Sequence, residues 1–576
     1  MSGRVYLVEM MPTVPNIGSQ IVMPRSGLLT IGAVLRERTD HDVQILFEPF
    51  VGGLDVERLL AKPPRFLLLN GIVSTAVENG LFVEELRSRC QEEFFVVAGG
   101  EHATLFPEEA RGYADVVILY EGDRTTLPVM RALEERDPGA RDLELAKIDG
   151  IHFKDRNGAW HANETHSRID AIDYRYDFDV FAGAQDVHSR FPLAQIPVQT
   201  SRGCKYSCSF CTWVSLFGKP GYVTRPIEDV LHDVEHALAV TGVHRFMVVD
   251  NLFGAEVEYT GELLEAVVRR FEGHSVRPTF TVLCRADQFV DAGPFSDAFL
   301  ALMRRAGVWN VSMGLESIED TSLQDMRKNT ATHVYLQAAR RLHAHGFVIA
   351  GSFICGYADD TRETILDIAR FAERLDLFTI QLYCQAVFPR TPDWKRLAHR
   401  RIPAAPERYL NGHGVEIFPA RILPSELQET LFETAHRFHD RSEPQKRIMR
   451  RIYGSVWRSM RDYADALRRV EQEVLLPRGL YRGDASGGVT LQEEALVRLH
   501  ADQEEFDAFT REIAARFAHL RYPPGRTGAM RLLHGVTPRL APRLALAAAS
   551  SPSPGWDRAR DRRTPAMTDG STRHPG

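Results

Sequence analysis

Three cysteines at a C-x3-C-x2-C spacing, Cys204, Cys208 and Cys211, constrain this chain more than any other feature. They follow an apolar run, Ile196–Arg202, that reads as a β-strand. Thiolates bind iron–sulfur clusters, and a [4Fe-4S] cube normally takes four of them. Three close cysteines would hold three irons and leave the fourth open to a substrate or cofactor. The competing reading is three unrelated buried thiols, which chance rarely sets at this spacing. Seven cysteines in all are few for a disulfide scaffold, and with three in one ligand cluster they point to a reducing compartment. Of the others, Cys90, Cys284, Cys355 and Cys384, the last three read as small buried residues.

A chain of 576 residues has room for about two to four domains. Its composition is globular, 44% hydrophobic and 26% charged, and a net charge of -7 argues against a bulk nucleic-acid binder. No apolar stretch approaches the roughly 18–20 residues of a membrane span. The first residues, Met1–Met11, place Glu9 inside a strand-like run and lack the h-region of a signal peptide. The expected location is cytoplasmic.

Residues 1–140 alternate short apolar runs with helical patterns. Val5–Met11, Val43–Phe47, Phe66–Asn70, Phe94–Ala98 and Val116–Tyr120 read as strands; Leu28–Arg38, Val77–Cys90 and Pro107–Tyr113 read as helical. Such alternation predicts a doubly wound parallel sheet covered on both faces. Ligands of such sheets sit outside the carboxyl ends of the strands. Here those ends carry Asn70-Gly71-Ile-Val-Ser74-Thr75, Gly99-Gly100-Glu101-His102-Ala103-Thr104 and Glu121-Gly122-Asp123. Glycines at such ends let backbone approach a ligand closely, or simply make tight turns.

This arrangement resembles the cobalamin-binding, Rossmann-like domain that precedes many radical S-adenosylmethionine (SAM) domains. The most specific piece is Gly99-Gly-Glu-His-Ala-Thr104, close to that family's Gly-Gly-x-His-x-Thr segment. The resemblance implies a cobalamin contacted by Asn70, Ser74, Thr75, Gly99, Gly100, His102, Thr104, Glu121 and Gly122. The chain has no Asp-x-His-x-x-Gly motif, so the resemblance implies cobalt without a histidine from that motif, with His102 as a loop or nucleotide-tail contact. Residues 141–195 read as a linker with a small hairpin, Ile148–Lys154 and Ala159–Ala162 about Asn157-Gly158. An irregular stretch, Asp170–Pro192, follows, and its aromatics Tyr174, Tyr176, Phe178 and Phe181 are expected to pack at an interface.

From 196 to 395, six strand-like runs alternate with helices: Ile196–Arg202, His244–Asp250, Pro278–Cys284, Val308–Gly314, Phe347–Ile354 and Leu377–Cys384. This predicts a partial (β/α)6 barrel, with its chemistry at the carboxyl ends of the strands. Those ends carry Asp250-Asn251, Arg285-Ala-Asp287, Glu316-Ser317 and Gln385. Together with the cysteines they resemble the radical SAM enzymes, in the class B methyltransferase-like branch joined to cobalamin domains. Gly314-Leu-Glu316-Ser317, the Leu323–Lys328 segment and Phe388-Pro-Arg-Thr-Pro392 carry that likeness, with Arg390 in place of an expected glycine. It implies SAM chelating the open iron, with Arg285 at its carboxylate, Glu316 at the ribose, Asp250 at the amine and backbone near Phe210 at the adenine.

Residues 396–523 read as a helical C-terminal cap, with a capping box at Ser442-x-x-Gln445, an apolar stripe from Ile448 to Val474 and a further helix over Glu493–Leu520. The tail 524–576, with nine arginines and no lysine or glutamate after residue 525, reads as disordered. The resemblance implies transfer of a methyl group from methylcobalamin, recharged by SAM, to an unactivated carbon of a small molecule, as in antibiotic biosynthesis. It also implies an electron donor such as flavodoxin or ferredoxin. Two alternatives stand beside it: a non-methylating ring formation, contraction or oxidative rearrangement on the same cofactors, and a non-catalytic binding scaffold.

Overall fold

The computed structural model describes residues 3–165, 171–213, 221–483 and 488–520. Strands β1 Arg4–Glu9, β2 Asp42–Phe47, β3 Phe66–Asn70, β4 Phe95–Gly99 and β5 Val116–Ile118 form a parallel sheet in the order 2-1-3-4-5. Alternate residues enter opposite layers: Val5, Leu7, Ile45 and Leu68 join one core, and Tyr6, Val8, Leu46 and Leu69 the other. Both faces are therefore covered, which is why these strands read as unbroken apolar runs. The order reverses between β1 and β3, and that crevice is where such sheets take ligands.

The hairpin expected in the linker is built from β6 Ile151–Lys154 and β7 Trp160–Asn163, and β6 pairs antiparallel with β5. It extends the N-terminal sheet to seven strands and covers an edge that would otherwise leave backbone groups unpaired.

The second sheet contains β8 Ile196–Val198, β11 Arg245–Val248, β12 Thr279–Cys284, β13 Val308–Glu316, β14 Val348–Cys355 and β15 Thr379–Cys384. All are parallel and lie in chain order, so β8 and β15 occupy opposite edges. The run Ile196–Arg202 is not one strand. After Val198 the chain leaves the sheet, and β9 Ser201–Cys204 pairs antiparallel with β10 Gly221–Thr224. The cause is Asp250, whose carboxylate accepts from the backbone N–H groups of Thr200 and Ser201 at 2.8 and 3.1 Å.

Between the sheets, Tyr174, Tyr176, Phe178 and Phe181 are buried. The Arg225 guanidinium lies about 5 Å from the ring centres of Tyr174 and Tyr176, and donates to Asp233 at 2.8 Å. Helix Pro424–His439 packs on β15 and on helix Pro444–Val470. The Ser442 capping box does not form. The helix starts one residue later than that box requires, with Glu443 as an N-cap that makes no side-chain cap and Pro444 at the first helical position, which its fixed φ suits. The run expected as one helix over Glu493–Leu520 breaks at Asp502, which accepts from Glu505 N–H and starts a second helix, Gln503–Phe517. The tail 524–576 lies outside the described residues. No described helix is long and apolar enough to cross a membrane.

Candidate functional site

Cys204 ends β9, and Cys208 and Cys211 sit on the turn beyond it, closed by Cys211 N–H donating to Cys208 C=O at 3.2 Å. The segment resembling the family's Leu-x-x-Met-x-Lys pattern pins this turn, since Ser209 N–H donates to Met326 C=O at 2.9 Å. All three thiols are free and half-buried. Burial pushes the Cys211 thiol up to about 11, and Cys208 also upward, while Lys328 pulls both in the other direction. Cys208 and Cys211 therefore stay protonated at neutral pH unless a cation displaces the proton. Three soft donors on one turn match the ligand set of an iron–sulfur cluster.

Beside this turn, Arg285 and Glu316 are joined through Lys328. Lys328 Nζ donates to Glu316 Oε1 at 2.8 Å, and Arg285 Nη2 donates to Lys328 C=O at 2.6 Å. Arg285 also pairs with Asp287 at 3.0 Å and lies 3.9 Å from the centre of the Tyr206 ring. Glu316 has φ +66, and the β13–β14 register shifts there. The shift re-aims its side chain. Gly314 leaves the space this needs: a Cβ there would lie 2.3 Å from Glu316 Oε1 and 3.1 Å from Lys328 Nζ. Phe210 is partly buried against the main core. Lys328 and Tyr206, which strand-end reasoning missed, complete the group.

Asp250 stands elsewhere. It is fully buried, and its carboxylate accepts from the hydroxyls of Thr200 and Ser201 as well as from their N–H groups. Those four donors occupy it.

The candidate residues of the first sheet divide in two. Thr75 Oγ1 donates to Ile72 C=O, Thr104 Oγ1 donates to Gly100 C=O, and Glu121 accepts from Arg202 at 3.0 Å, so these serve the local framework. Asn70, Ser74, Gly99, Gly100 and His102 lie together at the ends of β3 and β4. Gly100 has φ +94, and a Cβ there would strike Asn70 Oδ1 at 2.3 Å. His102 N–H donates to Gly71 C=O at 3.0 Å and its Nε2 faces Glu109, but among the described residues its buried Nδ1 has no partner, and neither has Ser74 Oγ. Two orphaned buried polar atoms beside a glycine cradle fit a bound group rich in hydrogen-bonding atoms. Gly122 opens helix Gly122–Leu133.

The C-terminal segment reaches this face too. The turn Val73–Thr75 packs on Glu407–Tyr409, and Asn411 Nδ2 donates to Val14 and Pro15 C=O at 3.3 and 3.4 Å. No pattern in the sequence pairs these distant segments.

A comparison with protein families matches residues 198–372 to the radical SAM superfamily. The chain therefore carries a radical SAM domain over those residues. Among curated relatives of this radical SAM protein is an uncharacterized methyltransferase of Pyrococcus horikoshii, 24% identical over 387 residues, covering 65% of this chain and 78% of that one. Another is an anaerobic magnesium-protoporphyrin IX monomethyl ester cyclase of Synechocystis, 26% identical over 366 residues, covering 60% of this chain and 68% of that one. Among solved structures, the cobalamin-dependent radical SAM enzyme OxsB with aqua-cobalamin and SAM bound superposes with a TM-score of 0.60 at 13% identity. That likeness, one of fold, covers 94% of this radical SAM protein and 83% of OxsB.

Proposed function

We propose that this radical SAM enzyme is a cobalamin-dependent C-methyltransferase acting on an unactivated carbon of a small molecule, in secondary metabolism. The observation that carries the reading is the meeting of two strand-end faces. The cysteine turn and the Arg285–Lys328–Glu316 group lie at one, the Gly100 cradle lies at the other, and Arg202 joins the two units. The methyltransferase relative and the cobalamin-binding structural neighbour support it.

In this reading Cys204, Cys208 and Cys211 hold a [4Fe-4S] cluster, and Asn70, Ser74, Gly99, Gly100 and His102 hold cobalamin. When bound, the cluster with SAM supplies a 5′-deoxyadenosyl radical that takes hydrogen from carbon, and cobalamin supplies the methyl group. The chain's own residues bind and orient. Arg285, held by Lys328 C=O and stacked on Tyr206, presents its remaining guanidinium edge to the SAM carboxylate. Glu316 accepts from the ribose hydroxyls, and backbone near Phe210 meets the adenine. Asp250, occupied by four donors, sets the path of the cysteine loop in place of meeting the amine. The segment around Glu407–Asn411 closes over the first sheet and excludes water. Electrons arrive from a flavodoxin- or ferredoxin-type donor.

Anaerobic reconstitution with iron and sulfide, followed by assay of SAM under dithionite, tests this. Cys208→Ala is expected to lower bound iron to background and end 5′-deoxyadenosine formation; a variant that still cleaves SAM overturns the assignment. The cyclase relative favours a second reading, ring formation on the same cofactors. Metabolites of a deletion strain separate the two: methylation predicts a product missing one CH2 increment, and ring formation predicts a product differing in hydrogen count alone.

A further inference from the structure

Segment Tyr120–Asp123, at the carboxyl end of β5, is held from two sides by arginines of the second sheet's unit. Arg202 lies on β9, two residues before Cys204. Its Nη1 donates to Glu121 Oε1 at 3.0 Å and Asp123 Oδ2 at 2.9 Å, and its Nη2 donates to Tyr174 OH at 3.0 Å and Gln199 Oε1 at 3.1 Å. The pairs are nearly buried, with side-chain exposures of 12% for Arg202, 4% for Glu121 and 11% for Asp123. Arg390 follows β15 at the opposite edge of the sheet. It donates to Tyr120 OH at 2.5 Å and Glu164 Oε2 at 3.2 Å, and its guanidinium lies 5.6 Å from the centre of the Tyr120 ring. Tyr120 and Arg390 have φ of +62 and +69, conformations that side chains rarely adopt and that persist only where surroundings enforce them. Thr104 Oγ1 helps hold Tyr120 by accepting its N–H at 3.0 Å.

We propose that Tyr120–Asp123 is a docking knob gripped from both edges of the six-stranded sheet, and that Arg202 and Arg390 are positioning residues fixing the first sheet's strand ends over the cysteine turn. The inference rests on the reading that both strand-end faces serve one reaction. It explains Arg390, which stands where the resembling segment has glycine: the backbone keeps a glycine-like conformation, and the side chain adds a cross-unit contact. Glycine there relieves the backbone and removes the contact, so Arg390→Gly separates local strain from docking.

The test is hydrogen exchange by mass spectrometry on the full chain, as purified and after reconstitution, in wild type, Arg390→Gly, Tyr120→Phe and the double variant. Exchange in 116–133 and 200–204 is expected to rise about tenfold in each single variant. The double variant should show no rise beyond that of Arg390→Gly, because the hydroxyl that Tyr120→Phe removes has already lost its Arg390 donor there. The thermal midpoint should hold, and 5′-deoxyadenosine formation, which needs no identified substrate, should stay within about twofold of wild type. Unchanged exchange, additive effects, or parallel loss of SAM cleavage and thermal midpoint would each overturn the grip. A wild type that takes up no cluster would instead defeat the proposed function and leave the exchange result on the as-purified chain readable.

Discussion

His413 shows how surroundings rather than residue type decide chemistry. It sits in the turn Asn411–Gly414, where Gly412 takes φ +86, and is fully buried, with neither ring nitrogen hydrogen-bonded among the described residues. The Tyr383 ring meets it edge-on at 5.3 Å. Burial pushes its pKa down to about 4, against a smaller upward pull from the nearby Asn411 backbone. In the unfolded chain the imidazole titrates near 6.5. As pH falls from about 6.5 the unfolded chain takes the proton first, so the stability this group contributes is full above 6.5 and is lost as pH falls through about 4. Urea unfolding at pH 7 and pH 5 checks this: wild type should lose about 2 kcal/mol more than His413→Gln, which does not titrate. Equal losses would place the acid sensitivity elsewhere. The cysteines, Arg285 and Glu316 were legible because spacing and strand ends expose them in one dimension. Lys328, Tyr206 and Arg202 were not, since their partners become neighbours only after distant loops fold together.

Elements were legible where apolar runs are long, and misread where a side chain from far away redirects the backbone. β3 falls where the pattern puts it. The break between β8 and β9 does not, because the acceptor that draws Thr200 and Ser201 from the sheet lies 50 residues downstream. The hairpin's turn was legible through Asn157-Gly158, but period-two alternation does not name the strand it pairs with. Asp250 therefore governs an element, with a sharp consequence. Asp250→Ala leaves two buried N–H groups and two hydroxyls without their acceptor, a loss on the order of 3–5 kcal/mol. Asp250→Asn keeps a carbonyl for the N–H groups, and the hydroxyls can rotate to accept. The alanine variant should retain little iron on reconstitution and the asparagine variant most of it. Equal retention would show that the cysteine turn holds its path without this carboxylate.

At the scale of the molecule, one apolar core runs from Val5 and Leu7 in the first sheet, through Tyr174–Phe181, to Val311 and Ile380 in the second and Phe517 beyond. The chain segment between the sheets is thus part of the core and not a tether, which irregular sequence between two periodic regions does not reveal. Phe178 is its joint. It stacks with Phe181 at 6.4 Å, meets Tyr176 edge-on at 6.2 Å and meets His236 on helix Ile227–Thr241 at 5.9 Å. A continuous core predicts that wild type unfolds in a single calorimetric transition. Phe178→Ala removes a buried ring at a cost of about 3–5 kcal/mol. Because the cavity opens between the sheets and inside neither, the loss should fall on their coupling, and the variant's transition should split while each part keeps its own cooperativity. A single transition merely shifted to lower temperature would mean that the sheets are held together chiefly by the arginines around Tyr120 and by Asn411. Combining Phe178→Ala with Arg390→Gly then decides between them, since splitting should appear in the double variant alone if the polar contacts dominate, and already in Phe178→Ala if the aromatic core does.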